Sequence, residues 1–199
     1  LTTLAAGVFI LPYVLFSGIG GDLADKFPKH VVLRTIKIVE LGIAMLGAAS
    51  LLIGSIPLCF LTLFCLGTHS AFFSPGKYSI LPHHLETHEL IGGNALINVG
   101  TFAAILLGTV AGTMLIALPN GAAIVSGLIG AVAVLGYLTS RHIPETIAID
   151  PDAKINPNIF AGTAKIVKFA MTRRRDIVLA ILGISWFYFM GGMFMAQLP

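Results

Sequence analysis

The stretch LIGGNALINVGTFAAILLGTVAGTMLIALPNGAAIVSGLIGAVAVLGYLTS, Leu90 to Ser140, contains no Lys, Arg, Asp or Glu. One crossing of a bilayer core about 30 Å thick takes roughly 20 apolar residues, so this run is long enough for two. Leu118-Pro119-Asn120-Gly121 interrupts it with a strong turn signal, and the run therefore reads as two spans folded back in a hairpin. The same reading extends outward. Charged residues are also absent from Leu1 to Gly21, from Leu41 to Gly76 and from Ile177 to Pro199. The Leu41–Gly76 run is again too long for one crossing and is broken at Ser55-Ile56-Pro57. Six spans are predicted, at about 2–21, 36–55, 58–77, 92–118, 121–140 and 177–198, and the fold class is an all-α membrane protein.

Composition excludes the alternatives. The 199 residues are 56% hydrophobic and only 11% charged, with a mean hydropathy of +0.93. A soluble domain carries about 25% charged residues, so too little polar surface exists to coat a water-soluble body of this size. A soluble enzyme is ruled out. The first run lacks a basic start and a small-residue cleavage site, and five further apolar segments follow it, which argues against a cleaved leader. Because the chain opens on Leu1 and closes on Pro199 in an apolar run, it reads as a piece of something longer, with a span expected upstream.

The twelve basic residues set the orientation. Lys26, Lys29, Arg34 and Lys37 follow the first span, Lys77 closes the third, and Arg141, Lys154, Lys165, Lys168, Arg173, Arg174 and Arg175 lie between the fifth and sixth. Basic connections stay in the cytoplasm, so those three face inward and the hairpins at Pro57 and Pro119 face outward. The net charge of +3 and pI near 9.0 then need no nucleic acid; they suit inward loops beside an anionic leaflet. Three parts are expected: a five-span unit over 1–141, an inward connection over 142–176, and the first span of a second unit over 177–199. In the connection, Asn156-Pro157 has the form of a helix start. Ile159, Phe160, Ile166, Val167, Ala170 and Met171 share a stripe opposite Lys165 and Lys168, as in a helix lying in the membrane interface.

Other polar residues carry less. Cys59 and Cys65 sit in one span and read as small apolar fillers. Gly108 and Gly112 have the spacing that lets membrane helices approach closely. His83, His84 and His88, with Glu86 and Glu89, fall in a short inward loop after Pro82, where solvated polar residues are expected; no metal site, cofactor or nucleophile is assigned. His69, inside the third span, is expected to bond a neighbouring helix. Lys37 and Glu40 are three apart and share a helix face, so they can pair; an intramembrane carboxylate is also a candidate coupling-ion site.

After the first span comes Gly21-Asp22-Leu23-Ala24-Asp25-Lys26-Phe27-Pro28-Lys29-His30. It resembles the signature GxxxD(R/K)xGxx of the major facilitator superfamily, with Gly21, Asp25, Lys26 and Lys29 matching. It departs at Pro28, where that family has glycine, and at His30, where it has a basic residue. The resemblance implies a latch: a carboxylate meets the positive end of a helix from the other half, and the lysines pair with acids or lipid phosphates. Phe72-Phe73-Ser74-Pro75-Gly76-Lys77-Tyr78-Ser79-Ile80-Leu81-Pro82, Glu89 to Leu96 and Gly100 to Thr109 are similar to the lysophospholipid transporter group of that superfamily. The likeness is greatest to the transporter half found fused to glycerophospholipid acyltransferase and acyl-activating domains.

That resemblance makes the six spans helices two to seven of the fold, in inverted three-helix repeats, and implies inward movement of lysophospholipid across a bacterial inner membrane by alternating access. Membrane lipids and a covalently fused acyltransferase domain are the implied partners. Phosphate recognition needs a cation, and Lys77 is the residue the resemblance places there. An ammonium costs up to about 2.5–3.5 kcal/mol at a helix centre, a cost that phosphate offsets. Asn94 and Asn98, one turn apart on the fourth span, complete the expected substrate-binding set; at Asn98 the family more often has glutamate, so a titratable charge is replaced by an amide. Arg141 to Thr146 loosely resembles the PES-like end of the superfamily's sixth helix.

Overall fold

The computed structural model describes residues 2–152, 155 and 159–197. Among them are eight helices and no strand: α1 (Thr2–Lys26), α2 (Lys29–Ile53), α3 (Ile56–Ser79), the single turn α4 (Leu81–His84), α5 (Leu90–Ile116), α6 (Gly121–Ser140), α7 (Ile159–Met171) and α8 (Arg175–Gln197). Six of them, all but α4 and α7, are long and apolar enough to cross a membrane. Every expected span is present. The helices overrun the charge-free runs at the inward end, however: α1 continues through Asp25 to Lys26 and α2 already starts at Lys29. A helix satisfies its backbone hydrogen bonds internally in lipid or in water, so charge marks the edge of the bilayer and not the edge of the helix. The signature segment is consequently two helix ends joined through Phe27-Pro28. Pro28, at φ −55°, caps α2, and its carbonyl accepts from the amides of Val31 at 3.0 Å and Val32 at 3.1 Å.

Both hairpins form where turn chemistry placed them. Gly54 ends α2 in the left-handed region at φ 69°, which glycine adopts without steric cost, and Pro57 sits in the first turn of α3, where its missing N–H leaves nothing unsatisfied. Asn120 takes φ 60° before α6.

Small residues bring α1 onto α3. A Cβ added at Gly20 would stand 2.8 Å from the Ala71 carbonyl oxygen, and one at Gly67 would run into the Phe9 carbonyl. Pro12 and Ala71 are buried in the same crossing. Between membrane helices this close backbone approach replaces the hydrophobic drive that lipid removes. α2 packs on both α3 and α6, burying Val32, Leu33, Ile36, Ile43, Ala44 and Ala133. Large apolar side chains such as Met45, Ile91, Leu107 and Phe187 point outward, as expected where lipid is the solvent.

Two expectations need correction. Gly108 and Gly112 support no close helix crossing: a Cβ at either would meet no neighbour within 4 Å, and both instead line a cavity of about 390 Å³ with residues of α2, α3 and α6. Lys29 is not solvated, and the Asp25 carboxylate acts on it electrostatically without a hydrogen bond. It is fully buried, and its Nζ has no hydrogen-bond partner among the described residues.

A helix does form in the connection, α7, and packs against α1; a Cβ at Gly162 would lie 3.6 Å from the Gly18 Cα. Val167, Met171 and Lys168 are exposed. The expected cap Asn156-Pro157, Lys154, and the side chains of Ile159, Phe160, Lys165 and Ile166 lie outside the described residues.

Candidate functional site

Three polar clusters lie among the helices, two at the end that carries the basic connections and one deeper in the bundle. In the first, the chain leaving α6 turns back across the α1–α2 junction. The Arg34 guanidinium donates to the carbonyls of Ser140 (3.3 Å), Arg141 (3.1 Å) and Ile143 (2.7 Å). These sit at a helix C-terminus, where carbonyls lack intrahelical donors. His30 and Thr146 meet twice: the Thr146 amide donates to His30 Nδ1 at 3.0 Å, and the His30 amide donates to Thr146 Oγ1 at 3.3 Å. The Asp150 amide donates to the Asp25 carbonyl at 3.1 Å. Signature and connection are thus stapled together, while the Asp25 side chain stays exposed and nothing lies within 4 Å of a Cβ built at Gly21. Lys26 closes the last turn of α1, where a cation complements the helix dipole.

The second cluster surrounds Lys77, two residues before the end of α3. Its Nζ donates to Thr101 Oγ1 of α5 at 3.3 Å and lies 4.8 Å from the centre of the Tyr78 ring. The Tyr78 hydroxyl donates to Asn98 Oδ1 at 3.0 Å, so Asn98 does reach the lysine's neighbourhood. Asn94 does not: its amide donates to the Leu90 carbonyl of its own helix at 2.9 Å. Thr101 was not anticipated, although Asn94, Asn98 and Thr101 form a polar line along one face of an apolar helix. Its hydroxyl donates to the Ile97 carbonyl at 2.7 Å, leaving lone pairs for the ammonium.

The third cluster joins α2 and α3 deeper in the bundle. Lys37 Nζ is 2.6 Å from Glu40 Oε2, and His69 Nε2 approaches the same oxygen at 3.1 Å. The expected i, i+3 ion pair therefore forms, and His69 comes within reach of Glu40 from the neighbouring helix without satisfying hydrogen-bond geometry. Lys37 also lies over the Phe73 ring, 4.9 Å from its centre, and His69 stacks on that ring at 5.8 Å. Lys37 and Lys77 line one cavity of about 270 Å³ together with Phe73 and with Gly136, Thr139 and Ser140 of α6. Glu40 lines the larger apolar cavity that holds Gly108 and Gly112.

The histidine-rich loop stays at the surface. His88 Nδ1 is 3.5 Å from Glu86 Oε2, both largely exposed, and no group of three or more metal-ligating side chains gathers among the described residues.

Membrane-length helices, with lysines, a carboxylate and hydroxyls in recesses between them, make a multi-pass membrane protein. The chain belongs to the Major Facilitator Superfamily, whose family model matches residues 1–199. It is similar to the lysophospholipid transporter LplT of Escherichia fergusonii, with 33% identity over 182 residues, covering 91% of this chain and 44% of that protein. It is also similar to the proteins of the same name from Escherichia coli (strain K12 / DH10B) and Shigella boydii serotype 18, each 40% identical over 108 residues, covering 54% of this chain and 26% of the relative. The chain thus spans less than half the length of these curated relatives. No solved structure matches it.

Proposed function

We propose that this chain is the membrane half-bundle, family helices two to seven, of a secondary transporter that moves lysophospholipid inward across a bacterial inner membrane by alternating access. The observation that carries the reading is Lys77. This ammonium lies beside a cavity at the inward end, held by a hydroxyl and an aromatic face and by no carboxylate among the described residues. An intramembrane cation of that kind is stabilised by an anionic substrate, and a phosphodiester with one acyl tail provides both the anion and an apolar flank for lipid-exposed helices. The relatives named lysophospholipid transporter point to the same substrate class.

On this reading Lys77 grips phosphate and Asn98 positions the Tyr78 hydroxyl near it, while Asn94 contributes at the mouth of the same helix face. Gly21, Asp25, Lys26 and Lys29 form the latch that opens when the halves rock, and Glu40 is the coupling carboxylate. The functional unit covers 1–141, the connection 142–176, and the second half starts within 177–199. A fused acyltransferase domain would consume the lysophospholipid delivered inward. The test is uptake of labelled lysophosphatidylethanolamine by cells making the complete protein. Lys77→Ala is expected to lower uptake at least tenfold; unchanged uptake removes Lys77 from the site, and no uptake by the unaltered protein removes the substrate assignment.

A further inference from the structure

We propose that Lys37 is a second phosphate-binding cation, acting with Lys77 across their shared cavity, and that Glu40 occupies Lys37 until phosphate arrives. The inference rests on the transport reading above and adds to it a residue from a different helix. Three observations carry it.

The first is placement. Lys37 comes from α2 and Lys77 from α3, yet both border the same cavity of about 270 Å³. Whole-ligand pockets run to roughly 300–1,000 Å³, so this one suits a headgroup whose acyl tail remains outside among the lipid-facing helices. Thr139 and Ser140 of α6 also line it, although both hydroxyls donate to carbonyls of their own helix, leaving the two ammoniums as the groups that recognise an anion.

The second is room. A Cβ at Gly136 would stand 3.4 Å from Lys37 Nζ and 3.8 Å from its Cδ. The lysine stem therefore lies along the bare backbone of α6, and a longer side chain at 136 would take the space through which the ammonium turns towards Lys77.

The third is how Lys37 is held at rest. Glu40 Oε2 takes Lys37 at 2.6 Å and His69 at 3.1 Å. Two lysines facing one cavity repel, and the carboxylate offsets that repulsion while no anion is present. When a phosphate oxygen takes the Lys37 ammonium, Glu40 keeps His69, so neither anion is stranded in a region of low dielectric. The Phe73 face, 4.9 Å from Lys37 Nζ, stabilises the ammonium in either position. The exchange swaps one charge-assisted hydrogen bond for another and breaks no covalent bond.

A merely structural ion pair and a place-holding one predict opposite effects of removing the carboxylate. The experiment uses the complete protein in nanodiscs and measures binding of oleoyl lysophosphatidylethanolamine, of monooleoylglycerol, which has the tail without phosphate, and of glycerol 3-phosphate, which has phosphate without the tail. Losing one charge-assisted hydrogen bond corresponds to roughly tenfold or more in affinity. Lys37→Gln is expected to weaken lysophosphatidylethanolamine about tenfold and to leave monooleoylglycerol unchanged, with Lys37→Arg restoring most of the loss. Glu40→Gln, which frees Lys37, is expected to tighten lysophosphatidylethanolamine severalfold. Wild-type lysophospholipid affinity in both Lys37→Gln and Glu40→Gln overturns the role of Lys37 and leaves the transport reading standing. Equal loss of both tailed probes in Lys37→Gln, or weaker phosphate binding in Glu40→Gln, shows a structural pair and also overturns it. Glycerol 3-phosphate binding as tightly as the lysolipid would assign the cavity to a free phosphate ester. Unaltered protein that fails to prefer lysophosphatidylethanolamine over monooleoylglycerol overturns the transport reading itself, and this inference with it.

Discussion

Substituting Arg34 tests whether the connection after α6 is held by designed contacts. Arg34 donates to three carbonyls, with the shortest bond, 2.7 Å, to Ile143. A hydrogen bond from a charged donor contributes about 1.5–3 kcal/mol when its acceptor is otherwise left without a partner. The Arg141 carbonyl contact is exposed and water replaces it, and the Ser140 carbonyl keeps the Ile143 amide at 3.2 Å, whereas the part-buried Ile143 carbonyl loses its side-chain donor. Arg34→Ala is therefore expected to cost the docked segment about 2–3 kcal/mol. Arg34→Lys keeps the charge but lacks the planar fork, reaches one carbonyl at a time, and should lose about 1–2 kcal/mol. The assay is trypsin cleavage after Arg141 in detergent. When opening and closing outpace cleavage, the rate follows the open population, so a loss of 2 kcal/mol speeds cutting by about 30-fold. Equal cleavage rates in wild type, Arg34→Ala and Arg34→Lys would refute the account.

Gly67→Ala is expected to destabilise the α1–α3 crossing by about 1–3 kcal/mol, because the new methyl meets the Phe9 carbonyl. Gly42→Ala, with nothing within 4 Å, is expected to be neutral or to stabilise by up to about 1 kcal/mol through helix propensity; thermal unfolding in detergent that ranks the two in the opposite order refutes the packing. Lys29→Met relieves a buried ammonium without a hydrogen-bond partner and should raise stability by about 1 kcal/mol or more while lowering transport; a reduced unfolding midpoint sinks the first half of that statement. With Cys59 and Cys65 replaced by serine, a cysteine at Phe27 should react only with reagents that reach the cytoplasm, and one at Leu118 with reagents confined to the periplasm. The reverse labelling pattern inverts the topology.

Much of the architecture was readable before any coordinates, because charge-free runs and Pro-Gly-Asn turns are local signals. The six spans, both hairpins and the Lys37–Glu40 pair all follow from spacing along one chain. Helix ends were misplaced at Lys26 and Lys29 because hydropathy reports solvent and not hydrogen bonding. Tertiary partners were not readable. Nothing in the spacing tells that His69 arrives at Glu40, that Thr101 accepts from Lys77, or that Arg34 reaches over the end of α6; each depends on which faces of separate helices meet. Asn94 shares a face with Asn98, yet its amide donates to the Leu90 carbonyl of its own helix, which spacing alone does not reveal.

The stapling of the segment after α6 shortens the tether between the two halves of such a transporter. Measured along the chain, α6 ends at Ser140, but the last anchored amide is that of Asp150, fastened to Asp25. Slack that the primary structure places after residue 140 is thus taken up as far as Asp150, and α7, packed on α1, holds the chain again before α8 begins. Both fastenings end on α1, so a single helix carries whatever load the connection transmits to the bundle.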